Sequence, residues 1–137
     1  MVVSHGSLAS ALVETTQLIM GSEQKIETAG LFIGDDVEDF KAKISQMIDE
    51  LHCEDGLIVF ADLFGGTPAN SILMKLSDLH FPTNITCYAG VNLPILLESI
   101  ALANSESFDR ITEHLDSIIS SSVSNLTARF ATNWTQN

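Results

Sequence analysis

The sequence predicts a single α/β domain built on an open, mainly parallel sheet. Three observations carry this. Short apolar or β-branched runs alternate with helical stripes in the order β-α-β-α-β-α-β-α-α. One run, Gly56-Leu57-Ile58-Val59-Phe60-Ala61, is apolar throughout, as in a strand covered on both faces. The chain has 137 residues, of which 18% are charged, so it can bury one core, and it shows no linker or repeat.

Each element has its own reason. Val2-Val3 is a short buried strand, and its shortness raises the expectation that the native start lies upstream. Residues 7–20 place Leu8, Leu12, Thr15, Leu18 and Ile19 at helical spacing, and Gly21 is a natural stop. Residues 26–33 alternate loosely, as a strand does. Gly34-Asp35-Asp36 turns the chain, and either aspartate can cap a helix. Val37, Phe40, Ile44, Met47, Ile48 and Leu51 form one apolar stripe, predicting an amphipathic helix over 37–52. After the third strand at 56–61, Thr67 is expected as N-cap with Pro68 at the first helical position, opening a helix to about Leu79. Residues 85–89 read as a fourth strand. Asn92 can cap a helix running to Ala103, with Pro94 in its first turn. Phe108, Ile111, Leu115, Ile118 and Ile119 mark a last helix, which Ser120-Ser121-Ser122 interrupts. Residues 126–131 alternate as a short strand would. The chain thus divides into a domain over 1–122 and a C-terminal segment over 123–137.

Right-handed crossovers restrict the sheet order, and 2-1-3-4 is the expected one, with helices on both faces. That order sets the first strand beside the third, with the topological switch between them. Ligands bind at such a switch, outside the strands' C-terminal ends. Two segments therefore share one crevice: Ser4-His5-Gly6, and Asp62-Leu63-Phe64-Gly65-Gly66-Thr67.

Composition excludes several function classes. Six basic residues stand against 18 acidic, a net charge of −12. Such a surface repels nucleic acid and anionic membranes, and suits a partner with a basic docking face as readily as it serves solubility. No apolar run approaches a membrane span and no secretion leader is visible, so no membrane insertion is expected. Cys53 and Cys87 stand alone, as reduced thiols do in a cytoplasmic protein. Three N-x-S/T triplets, at Asn84, Asn125 and Asn133, read as chance matches.

The strongest signal lies in residues 59–70, VFADLFGGTPAN. A carboxylate follows a buried strand, and two glycines then lead into a helix start. Glycines allow close approach to a ligand, and free amides at a helix start bind anions without lysine. The P-loop pattern is absent. Alone, GGTP is more often a tight strand–helix turn. Its pairing with His5 and Asp62 favours chemistry. His5 is placed near the start of the first helix, where the positive dipole end disfavours imidazolium. Asp62 can accept from one ring nitrogen and leave the other as nucleophile. A phosphoryl group there would meet the amides of Gly65, Gly66 and Thr67 and the Thr67 hydroxyl. No cofactor is expected, and two ligands are too few for zinc.

Ser4-His5-Gly6, the run Asp62 to Asn70, and Ala89-Gly90-Val91-Asn92-Leu93-Pro94 resemble the IIA component of the mannose-family sugar phosphotransferase system, over about residues 1–120. The resemblance implies a phosphotransferase with a phosphohistidine intermediate. His5 would accept phosphate from the histidine phosphocarrier protein HPr and pass it to a IIB component for sugar uptake. Asp62 would orient the ring, and Gly65, Gly66 and Thr67 would hold the phosphate. The family commonly has serine where Thr67 stands. The resemblance also implies a homodimer that exchanges an antiparallel C-terminal strand, for which 126–131 is the candidate. Two other readings stand beside it: a regulatory phosphohistidine module, and the phosphodonor of a dihydroxyacetone kinase.

Other residues read more plainly. His52, His80 and His114 are expected at the surface or in structural roles. Asn92 is expected to cap rather than to shape the site's rim. Phe64 is either core or an apolar patch at the crevice mouth, and Trp134 lies in the polar tail.

Overall fold

Parallel pairing joins four strands: β1 (Val2–His5), β2 (Thr28–Leu31), β3 (Leu57–Ala61) and β4 (Ile85–Ala89), in the order β2-β1-β3-β4. The computed structural model describes residues 1–21 and 26–129. Among the described residues, the helices α1 (Leu8–Met20), α2 (Val37–Leu51), α3 (Thr67–Asp78), α4 (Leu93–Leu102) and α5 (Phe108–Ile118) connect and follow the strands, the last continuing into a 3-10 turn over Ile119–Ser121.

Alternation along the strands sends side chains to two faces. Val3, Val59 and Ala61 pack under α2 and α3, on Phe40, Ile44, Ile48, Ile72 and Leu76. Val2 and Phe60 face the other way, onto Ala9 and Val13 of α1, Ile95, Leu96 and Ile100 of α4, and Ile111 and Leu115 of α5. Ile44, Ile48, Ile72 and Val59 are wholly buried. Each such side chain stabilises the fold by roughly 1.5–3 kcal/mol.

The helix ends follow from local chemistry. Gly21 closes α1 in the left-handed region (φ 61°), its amide donating to Gln17 O. The Asp36 carboxylate caps α2, accepting from the amides of Glu38 and Asp39. Asn92 caps α4 through Ile95 N, as expected, and Ser107 caps α5 through Arg110 N.

Three expectations need correction. The strand expected over 26–33 is limited to Thr28–Leu31, because Asp35 closes a turn on Phe32: Phe32 N donates to Asp35 Oδ2 at 2.7 Å, and Asp35 N to Phe32 O at 3.1 Å. Gly66, not Thr67, is the N-cap of α3, and no side chain caps that helix. Pro68 fits either of the first two helical positions, so Thr67 becomes the first helical residue. The strand expected over 126–131 is not found in its described part, where residues 126–129 form a helical turn. Asn125 starts that turn, its Oδ1 accepting from Ala128 N at 3.0 Å and its carbonyl from Arg129 N at 3.1 Å. Residues 130–131 lie outside the described residues, and so does Trp134. Among the described residues no strand lies beyond β4.

Candidate functional site

His5 is the last residue of β1, and α1 starts at Leu8, so the ring sits at a strand end rather than in a helix. Its neighbour across the crevice is Asp62, the residue after β3. The register Val2↔Phe60, Val3↔Ala61 sets Asp62 one position short of His5 on the adjacent strand, within reach of it although 57 residues separate them. Asp62 Oδ2 lies 2.8 Å from His5 Nδ1 and also accepts the His5 backbone amide at 2.8 Å. One oxygen therefore holds both the main chain and the ring of the same residue.

A carboxylate can only accept, so Nδ1 carries the proton. In the neutral ring the lone pair then lies on Nε2. No described residue hydrogen-bonds Nε2, and the His5 side chain is 46% exposed against 11% for Asp62. The arrangement presents an oriented nucleophilic nitrogen to an approaching group while its anchor stays under cover. Asp62 Oδ1 is buried and has no hydrogen-bond partner among the described residues.

The glycine segment packs directly on this ring. A Cβ built on Gly66 would stand 2.9 Å from His5 Cε1, so only glycine leaves the ring its place. Gly65 takes a left-handed conformation (φ 75°) that favours glycine. Asn70 steadies the loop, its Nδ2 donating to Gly65 O at 3.1 Å. Of the three amides expected to face an anion, that of Gly66 is already committed to Leu63 O at 3.2 Å. The amides of Gly65 and Thr67 donate to no described group, so of the three these two are left to meet an anion.

The rim is apolar. Phe32 and Ile33 follow β2, and Leu63 and Phe64 follow β3, so the two pairs flank His5 on β1. All four are exposed, Phe64 at 85%. Phe64 is thus a mouth residue and not core. Behind the rim, Asn92 Nδ2 donates to Ser122 Oγ at 3.0 Å, tying the loop after β4 to the end of the last helix.

The remaining histidines lie elsewhere. His52 pairs with Asn84 Oδ1 at 3.0 Å, and His114 with Glu98 at 3.1 Å. His80 sits in the loop before Pro82 with φ 58°. Among the described residues no three His, Cys, Asp or Glu side chains gather as metal ligands, and no helix is long and apolar enough to cross a membrane. Sequence reasoning missed two features. Asn70 holding Gly65 had a signal, since asparagine near a glycine pair often bonds the backbone. The second hydrogen bond of Asp62, to the His5 amide, had none.

A family model described as "PTS system fructose IIA component" matches residues 1–116. The fructose-specific EIIA component of Bacillus subtilis is 28% identical over 129 residues, covering 83% of this chain and 86% of that protein. The mannose-specific EIIAB component of Escherichia coli K12 is 25% identical over 109 residues, covering 79% of this chain and 33% of that longer protein. The crystal structure of the PTS IIA protein associated with the fucose utilization operon of Streptococcus pneumoniae superposes with a TM-score of 0.79 at 27% identity, covering 94% of this chain and 93% of that one.

Proposed function

We infer the function of this chain from its family: it belongs to the IIA components of the mannose–fructose branch of the sugar phosphotransferase system, phosphoryl-transfer proteins that work with other components of that system. We propose that Nε2 of His5 is the phosphoryl carrier. In the first transfer the P–N bond of phospho-HPr breaks, phosphorus bonds to His5 Nε2, and the donor imidazole leaves. In the second the P–Nε2 bond breaks toward a side chain of a IIB component. Asp62 keeps the proton on Nδ1 throughout. The amides of Gly65 and Thr67 and the Thr67 hydroxyl hold the phosphoryl oxygens, and Gly66 leaves room for the ring beside them. This is positioning with electrostatic stabilisation, which is most of what such a transfer requires.

The observation that carries the reading is the 2.8 Å bond from Nδ1 to a largely buried carboxylate, with Nε2 left free at an exposed edge. The apolar rim supports it, since a protein partner must cover the surface around Nε2 to reach it. A cytoplasmic location is part of the proposal and agrees with the free thiols of Cys53 and Cys87. So is a homodimer, which the outer edge of β4, unpaired by any strand among the described residues, supports. Sedimentation at micromolar concentration tests it, and a monomer there would exclude it.

Incubation with phospho-HPr tests the main reading. The expected product carries acid-labile, base-stable phosphate on His5, chases onto a IIB protein, and does not form in His5→Ala. Labelling of His5→Ala at the native rate would overturn it. Labelled protein that passes phosphate to a dihydroxyacetone kinase subunit and not to IIB would assign the chain to that second pathway.

A further inference from the structure

Ser4 precedes His5 on β1 and is wholly buried. Its Oγ accepts the amide of Ala9 at 2.8 Å. Ala9 lies in the first turn of α1, where the residue at the cap position, Ser7, makes no side-chain cap bond. Ser4 therefore does the capping from the strand, across the turn His5-Gly6-Ser7. That turn is fixed at three points: Ser4 Oγ to Ala9 N, the His5 amide to Asp62 at 2.8 Å, and the Gly6 amide to Leu31 O at 2.7 Å. Gly6 passes through it at φ 54°, a conformation glycine adopts readily.

Ser4 is also close in register to Asp62. The pairs Val2↔Phe60 and Val3↔Ala61 put Ser4 level with Asp62 as the next position. Asp62 Oδ1 is buried and has no hydrogen-bond partner among the described residues, while the Ser4 hydroxyl accepts one hydrogen bond and donates none to a described group.

We propose that Ser4 is a positioning residue for the transfer reaction: by holding the amino end of α1 against β1 it sets the angle at which His5 meets Asp62. This rests on His5 being the phosphorylated residue. A serine that merely capped a helix would affect stability and leave the ring alone.

The test uses Ser4→Ala and Ser4→Thr in the full chain. Nitrogen-15 NMR of the His5 ring reads the Nδ1–H tautomer without any phosphodonor, and single-turnover labelling by saturating phospho-HPr reads the transfer step apart from donor binding. In Ser4→Ala the His5 ring shifts should move toward a mixture of tautomers and the transfer rate should fall about tenfold, the effect of one lost hydrogen bond. Half-saturation by donor should stay level. Ser4→Thr, which keeps the acceptor, should restore both readouts in greater part. Unchanged ring shifts in a folded Ser4→Ala would overturn the proposal, as would a Ser4→Thr variant no better than Ser4→Ala. Failure of the native chain to label, with ring shifts still dependent on Ser4, would refute the transfer reading and leave the positioning role standing.

Discussion

Replacing Gly66 by alanine should separate activity from stability. Gly66 has φ −74° and ψ 162°, a conformation alanine adopts without strain. Its new methyl would stand 3.3 Å from Leu63 O and 3.6 Å from Leu63 Cβ, contacts that a small adjustment relieves. The conflict is with His5 Cε1 at 2.9 Å. Carbon atoms pack at about 3.5–4.0 Å, so the ring or the loop must give way by about 0.6 Å. The ring is not free to do so, because Nδ1 is held 2.8 Å from Asp62 Oδ2, inside the narrow range of about 2.7–2.9 Å for charge-assisted bonds. A displacement of that size bends or stretches the bond and turns Nε2 off its line. Misplacement by about 1 Å costs on the order of 100-fold in rate, so a loss of about 10- to 100-fold is expected here. Stability should change by less than about 1 kcal/mol, and a gain is possible because alanine restricts the unfolded chain. Rapid-quench labelling by radioactive phospho-HPr, with thermal melts of the same samples, measures both. A Gly66→Ala protein that labels at the native rate would refute the packing argument. A rate loss that tracks a large fall in melting temperature would assign the effect to folding instead.

Asp62→Asn should slow labelling by about 10²- to 10⁴-fold without abolishing it, since an amide no longer fixes the tautomer while the nucleophile remains; a native single-turnover rate would remove Asp62 from the mechanism. Gly30→Ala should destabilise the fold by about 1–3 kcal/mol in urea melts, because its Cβ would collide with the Gly6 carbonyl and press on the Phe32 ring; an unchanged midpoint would show that β2 yields there. Burial pushes the Cys87 thiol up from 9.0 to about 11. The unfolded thiol therefore loses its proton first, and the contribution of Cys87 to stability, intact below pH 9, should be lost as pH rises through 9 to 11. Iodoacetamide at pH 8 should modify the exposed Cys53 in the native protein and Cys87 only after unfolding, as mass spectrometry would show; equal native labelling would contradict the burial.

The site was legible where physics is local or topological. The apolar run ending at Ala61, the histidine after Val2-Val3, and the alternation that implies the order 2-1-3-4 together suffice to bring His5 and Asp62 to one crevice. Details set by register were not legible. Whether Asp62 meets the ring alone or the amide as well depends on a shift of one residue between β1 and β3. The same holds for Ser4, whose acceptor role needs the turn geometry. Thr-Pro suits both a cap and a first turn, so the sequence alone does not choose between them, and the extended backbone of Gly66 makes Gly66 the cap. In Leu126-Thr127-Ala128-Arg129 the alternation is real, but Asn125 supplies a cap, and local hydrogen bonds form without a partner strand. Gly66's contact with the ring depends on two segments far apart in sequence, so nothing near GGTP announces it.

The bond between His5 and Asp62 spans 57 positions. During synthesis the histidine leaves the ribosome well before its carboxylate does. Until β3 docks beside β1, nothing selects a tautomer or aims the ring, and the Gly65–Gly66 loop is not there to pack on it. With His5 as the proposed carrier, a nascent or partly folded chain is a poor phosphate acceptor, although it already holds the histidine. Under that reading, competence for transfer comes only with closure of the central strand pair, which brings Asp62 and the glycine loop to the ring.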